Sequence, residues 1–144
     1  MVKSKRLVRS DAWMDEARYD FETCLELHEL SRFNWVCTCS QQVSEKAIKA
    51  LFLINGFEFP WTHSIVDLLD ELKEKIYIEE DIFSSLRHSA SELDPHYIET
   101  RYPDAIGGTQ APYKYYDKER SEESLKNTRK ILEWIEKQIQ SLKE

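Results

Sequence analysis

Residues 121–142 read SEESLKNTRKILEWIEKQIQSL, and within them Leu125, Thr128, Leu132, Ile135, Ile139 and Leu142 recur in steps of three and four. Such steps return to one side of an α-helix at every turn, so these residues form a single seam, roughly 26 Å long at ~1.5 Å per residue. Ser121, with Glu122 and Glu123 behind it, marks the start, because its hydroxyl can accept from free backbone N–H groups and the acids sit at the positive end of the helix dipole. A long helix with one apolar seam needs other helices to cover it, and the rest of the chain supplies them.

Working back from that helix, residues 102–117 form the one long irregular stretch, with two Pro, two Gly and four Tyr. A loop this long inside a compact domain is often functional. Before it, Asp94-Pro95 reads as a cap with a first-turn Pro that restarts or kinks the helix through His96, Tyr97 and Ile98. A fourth helix opens on Glu79-Glu80-Asp81 and carries Ile82, Phe83, Leu86 and Leu93. A third, capped by Thr62, turns Ile65, Leu68, Leu69, Leu72 and Ile76 to one side. The first two helices are long and tightly joined near residues 31–34, which predicts antiparallel packing. Ser10 caps the first, whose face is Trp13, Ala17, Phe21, Cys24 and His28. Val36, Cys39, Val43, Ala47, Leu51 and Ile54 stripe the second, and Asn55-Gly56 stops it. The expected fold is all-α: an up-and-down bundle of four main helices plus one short helix, a single domain over residues 1–144 with its core at about 11–141.

Composition agrees. Of 144 residues, 41% are hydrophobic, 33% are charged and three are Gly, so breakers are scarce and the balance is globular. The net charge of −7 excludes a protein basic all over, though not a local basic patch. Cys24, Cys37 and Cys39 are odd in number and lack metal-knuckle spacing. They read as free thiols, buried or on a helix surface, in a reducing compartment. The basic N-terminus has no apolar run of signal length and no stretch reaches a membrane span. The expectation is a cytoplasmic protein with no membrane association, no metal and no cofactor.

Three ordered signatures carry a family resemblance: Trp13, Ala17 and Asp20; Gln42-x-x-Glu45-Lys46-Ala47-x-Lys49-Ala50-Leu51, followed by Gly56, Thr62-His63 and Leu68-Leu69; and Leu93-Asp94, Tyr97 and Thr100-Arg101-Tyr102-Pro103-Asp104. Together, over about residues 11–141, they resemble the HEPN domain (higher eukaryotes and prokaryotes nucleotide-binding). The resemblance implies a helical bundle that forms a homodimer, often encoded beside a minimal nucleotidyltransferase in a toxin–antitoxin-type pair. Some members are metal-independent endoribonucleases whose active site is an Arg and a His with four to six residues between them. Arg101 stands where that Arg is expected, but the positions where the His would fall are Ile106, Gly107 and Gly108, and no His elsewhere has an Arg at that spacing. Arg stays protonated and cannot replace His as a base. The expectation is therefore a non-catalytic, nucleotide- or RNA-binding homodimer, partner of a nucleotidyltransferase, with no catalytic residue assigned. The rivals are a divergent metal-independent endoribonuclease and a structural protein-interaction adaptor.

The candidate phosphate or ligand contacts are Arg101, Tyr102, Asp104, Lys46 and Lys49. Each has a bland reading too. Glu45, Lys46 and Lys49 suit a solvated helix face with ion pairs, which is the favoured reading. Arg101 and Asp104 could pin a turn. His63 suits capping or packing better than catalysis, His28 suits a hydrogen-bonded core or interface, and Tyr102, Tyr113, Tyr115 and Tyr116 are expected to cover the bundle end rather than stack on bases.

Overall fold

A computed structural model describes residues 4–143. It is all-α, with α1 at Lys5–Glu29, α2 at Phe33–Ile54, α3 at Ile65–Lys75, α4 at Glu80–Leu93, α5 at Pro112–Tyr115 and α6 at Lys118–Lys143. Turns of 3-10 helix lie at Asp94–Tyr97 and Pro103–Ile106. The four main helices are α1, α2, α4 and α6, α3 is the short one, and α5 is a single turn that interrupts the expected irregular stretch.

Nested side-chain pairs give the helix directions. Between α1 and α2, Cys24 faces Cys39, Asp20 meets Lys46, and Ser10 donates to the Ala50 carbonyl. One number rises as the other falls, so this hairpin is antiparallel. Between α2 and α6, Ser124 donates to Cys37 and Thr128 donates to the Ser40 carbonyl, so these helices run parallel. Ser40, Ser44, Ser121, Ser124 and Thr128 are small, which lets the two helices approach closely. Ser44 and Thr128, 2.7 Å apart, bond to each other across the α2–α6 contact.

Helix α2 is the hub. The expected stripe residues Val36, Val43, Ala47 and Leu51 are buried, but so are Ile48, Ala50, Phe52 and Leu53 on its other sides. The reason is tertiary: α2 touches α1, α3, α4 and α6 at once. On α6, Leu125, Thr128, Leu132, Ile135 and Ile139 are buried as the seam predicts, whereas Leu142 is exposed.

Several local expectations need correction. The cap of α1 is Ser4, whose hydroxyl accepts from Leu7 N–H; Ser10 lies buried inside the helix. Ser64 caps α3, with Thr62 accepting from the Ser64 N–H instead. Asp94 does not cap its own turn. Its carboxylate accepts from Ile65 N–H at 2.7 Å, Val66 N–H at 3.1 Å and the Ser64 hydroxyl at 3.0 Å, tying the end of α4 to the start of α3. Helix α6 begins a turn before Ser121, which is fully buried. Ile82 is exposed on α4. Gly56 stops α2 as expected, at φ +94°.

The cysteines depart most from expectation. Cys24 and Cys39 form a disulfide across the α1–α2 hairpin, their Cα atoms 5.7 Å apart. A separation of 15 residues hides the pair, because it exists only once the hairpin closes. Cys37 remains a free, buried thiol, pushed up to about 11 by burial.

Candidate functional site

Two cations without carboxylate partners meet at the α1–α2 corner. Ser31 there adopts φ +58°, the chain reverses, and α2 begins with Arg32 at its cap position, followed by Asn34 and Trp35. Against this corner lies the segment after α4. Thr100 is fully buried; its hydroxyl bonds to that of Thr38 and donates to the His96 carbonyl, while Asn34 Nδ2 donates to the Thr100 carbonyl. These bonds fix the backbone one residue before Arg101.

Arg101 is itself held. Nη2 donates to the Tyr97 carbonyl, and Cζ lies 5.3 Å from the Tyr97 ring and 5.5 Å from the Tyr102 ring. The result is a cleft of about 330 Å³ lined by Arg32, Asn34, Trp35, Thr100, Arg101 and Tyr113, with Ser31 and Pro112 at its edge. Trp35 and Tyr113 are 49% and 66% exposed. Among the described residues no carboxylate lines this cleft, and neither Arg32 nor Arg101 has an ion-pair partner. A cleft with two guanidinium groups and two exposed rings suits a phosphate joined to a planar base.

Beside it a buried polar relay runs along α2. Gln41, Glu45 and Lys49 stand one turn apart and are all buried, which overturns the reading of Glu45 and Lys49 as a solvated face. Lys49 Nζ is 2.8 Å from Glu45 Oε2 and lies 5.0 Å from the Phe59 ring centroid and 5.5 Å from that of Trp13. His63 Nδ1 is 3.1 Å from the same carboxylate oxygen, and its ring stacks on Tyr97 at 4.6 Å. Of its two expected roles, His63 thus does not cap α3, which Ser64 does, but it packs by one ring face on Tyr97. His28, by contrast, is hydrogen-bonded as expected, to Ser121 at 2.7 Å.

Of the five candidate contacts, Arg101 lines the cleft and Tyr102 flanks it. Asp104 is exposed and makes no ion pair with Arg101, so the turn is not pinned that way. Lys46 pairs with Asp20 at 2.5 Å on the α1 side, and Lys49 is held in the relay. Tyr102, Tyr113 and Tyr115 are exposed and only Tyr116 packs inside, against the expectation for all four. Behind the cleft, burial and the Arg120 charge lower His96 to about 4, so it stays neutral, and burial raises the Tyr116 phenol. Arg32, Asn34 and Trp35 escaped sequence reading. The available signal was an Arg and a Trp flanking a helix junction, which periodicity treats as surface.

Two of the three positions where the family's His would fall have left-handed backbone. Gly107 and Gly108 adopt φ +100° and +78°, and a Cβ on Gly108 would lie 3.0 Å from Asp104 Oδ1. Ile106, the third position, closes the preceding 3-10 turn.

Comparison with known proteins agrees with this fold. A family model described as HEPN domain matches residues 10–138. The protein named "Putative toxin MJ1304" from Methanocaldococcus jannaschii is 28% identical over 127 residues, covering 85% of this chain and 83% of that one. The crystal structure of TT1696 from Thermus thermophilus superposes with a TM-score of 0.80 at 35% identity, over 90% of this chain and 97% of its own. ST0689, described as an archaeal HEPN homologue, gives 0.74 at 30%, over 91% and 98%. An HEPN domain protein from Thermotoga maritima gives 0.68 at 28%, over 90% and 98%.

Proposed function

Because this chain belongs to the HEPN domain family, we propose that it works by binding, taking a nucleotide or an RNA phosphate in the cleft between Arg32 and Arg101. The observation that carries this is a pair of guanidinium groups with no ion-pair partner among the described residues, in a cleft that none of their carboxylates lines, on a chain of net charge −7. Trp35 and Tyr113 offer faces for a base, and stacking is worth about 1–3 kcal/mol per base. Tyr102 flanks Arg101, and Asp104 does not line the cleft. Lys46 and Lys49 act elsewhere, in the hairpin and the relay. Cleavage by the family's Arg–His pair forms no part of this reading, since Ile106, Gly107 and Gly108 offer no acid or base.

We place this module in a cytoplasmic homodimer, a single domain in each copy, that partners a minimal nucleotidyltransferase. The support is family membership and the likeness to a protein named as a toxin. Light scattering at micromolar concentration checks the dimer, and the mass of one chain throughout would remove it. Binding is checked by calorimetric titration of a short RNA into wild type, Arg101→Ala and Arg101→Lys, with melting measured in parallel. Loss of one charge-assisted contact costs about 1.5–3 kcal/mol, roughly ten- to a hundredfold in affinity. Arg101→Lys recovers part of this, keeping charge but losing the planar fork. Equal affinity in wild type and Arg101→Ala, together with a large loss of stability, would leave Arg101 a structural residue and remove it as a phosphate contact; no RNA binding by wild type would end the binding reading.

A further inference from the structure

We infer that His63 is a second contact for the phosphate bound at Arg101, engaged when its ring is protonated; this rests on the binding reading above. Two features of the structure carry it. The His63 side chain is 60% exposed, yet one face of its ring stacks on Tyr97, at 4.6 Å and 17° between planes. The Arg101 guanidinium carbon lies 5.3 Å from that same Tyr97 ring. One tyrosine ring therefore lies against both side chains, so a phosphate held by Arg101 beside Tyr97 is on the same support as His63.

The ring is also oriented. A carboxylate can only accept, so the Glu45 contact places the hydrogen on Nδ1 and leaves Nε2 as the free nitrogen. Glu45 cannot turn away, because Lys49 and Gln41 hold its two oxygens. In the neutral ring, Nε2 presents a lone pair, which repels phosphate oxygens. In the imidazolium, it presents a charged N–H donor, which binds them. Binding of an anion and binding of a proton therefore assist each other. The charged and titratable groups around the ring are Glu45 and Lys49 on α2, Arg101 and Tyr97 after α4, and Asp94, whose carboxylate is occupied by the Ser64 hydroxyl and the N–H groups of Ile65 and Val66. His96 is buried and neutral, and His28 faces Ser121 and Phe33.

The probe is the RNA dinucleotide ApA, whose phosphodiester neither gains nor loses a proton in the range used. Affinity is measured at about pH 8 and about pH 5.5, on either side of the ordinary histidine range. Wild type should bind on the order of tenfold tighter at the lower pH. His63→Gln should show a profile flat to within about twofold, and His28→Gln should keep the wild-type rise. Nuclear magnetic resonance of the His63 ring gives a second measurement without a variant: saturating ApA should move its titration midpoint upward. A flat wild-type profile, a His63→Gln protein that rises like wild type, or an unmoved midpoint would overturn the inference while leaving the binding reading intact. No ApA binding at either pH would remove both.

Discussion

Replacing Glu45 with Leu should destabilise the protein far more than its single carboxylate suggests. The Glu45 and Lys49 side chains are 7% and 8% exposed, so the substitution leaves an ammonium group nearly out of water with no counter-charge. Breaking a buried pair from one side costs about 3–5 kcal/mol. The contacts from His63 and Gln41 to Glu45 are lost as well. Two effects oppose this. Lys49 keeps the Phe59 and Trp13 ring faces, worth about 0.5–2 kcal/mol, and its flexible stem can carry the charge part-way to solvent. The expected net is about 3 kcal/mol, a large share of the ~5–15 kcal/mol that holds a domain together. Replacing both residues, as Glu45→Leu with Lys49→Met, removes the orphaned charge, and the double variant should lie within about 1 kcal/mol of wild type. The assay is urea unfolding of wild type, both single variants and the double variant, read as a double-mutant cycle. Salt should barely change the coupling, since screening acts weakly on buried charge. A Glu45→Leu cost below about 1 kcal/mol, or a double variant no better than the sum of the singles, would show the pair to be solvated and the reasoning wrong.

Asp94→Ala should lower stability by about 1–2 kcal/mol, since three donors at the start of α3 lose their acceptor; an unchanged urea midpoint would mean that water replaces the carboxylate. Leu132→Ala should cost about 2–5 kcal/mol, as the middle of the buried α6 seam, and an unaltered melting temperature would argue against that packing. The acid response should follow His96. Folding keeps it neutral down to about 4, whereas in the unfolded chain it protonates near 6.5. Stability from this residue is thus complete above 6.5 and falls as pH drops toward 4, by on the order of 3 kcal/mol. His96→Asn should flatten the stability profile between those values, and a profile as steep as wild type would assign the acid response to another group.

What could be read from the chain alone followed from local spacing. Leu125, Leu132, Ile135 and Ile139 specify a helix and its buried side through a period of about 3.6, whatever they pack against. Gly56 ends a helix because its backbone can take positive φ. Helix type and the main helices were legible for this reason, while Arg101 was singled out through the family resemblance. So was the missing His, because the Arg–His spacing is itself a sequence quantity. Local spacing failed where burial arises from several sides. Glu45 and Lys49 look like an ordinary i,i+4 surface pair, and only the arrival of α1, His63 and Phe59 around α2 buries them. Ser10 and Ser121 look like caps, but α2 passes close enough to enclose both. Cys24 and Cys39 meet, Asp94 caps a helix 29 residues before it in the chain, and Arg32 joins Arg101 in one cleft, each through contacts between segments far apart in sequence. Helix formation depends on neighbours three and four residues away, so one chain read in order reveals it; a binding cleft depends on which helix ends are brought together, and that is decided when the helices pack.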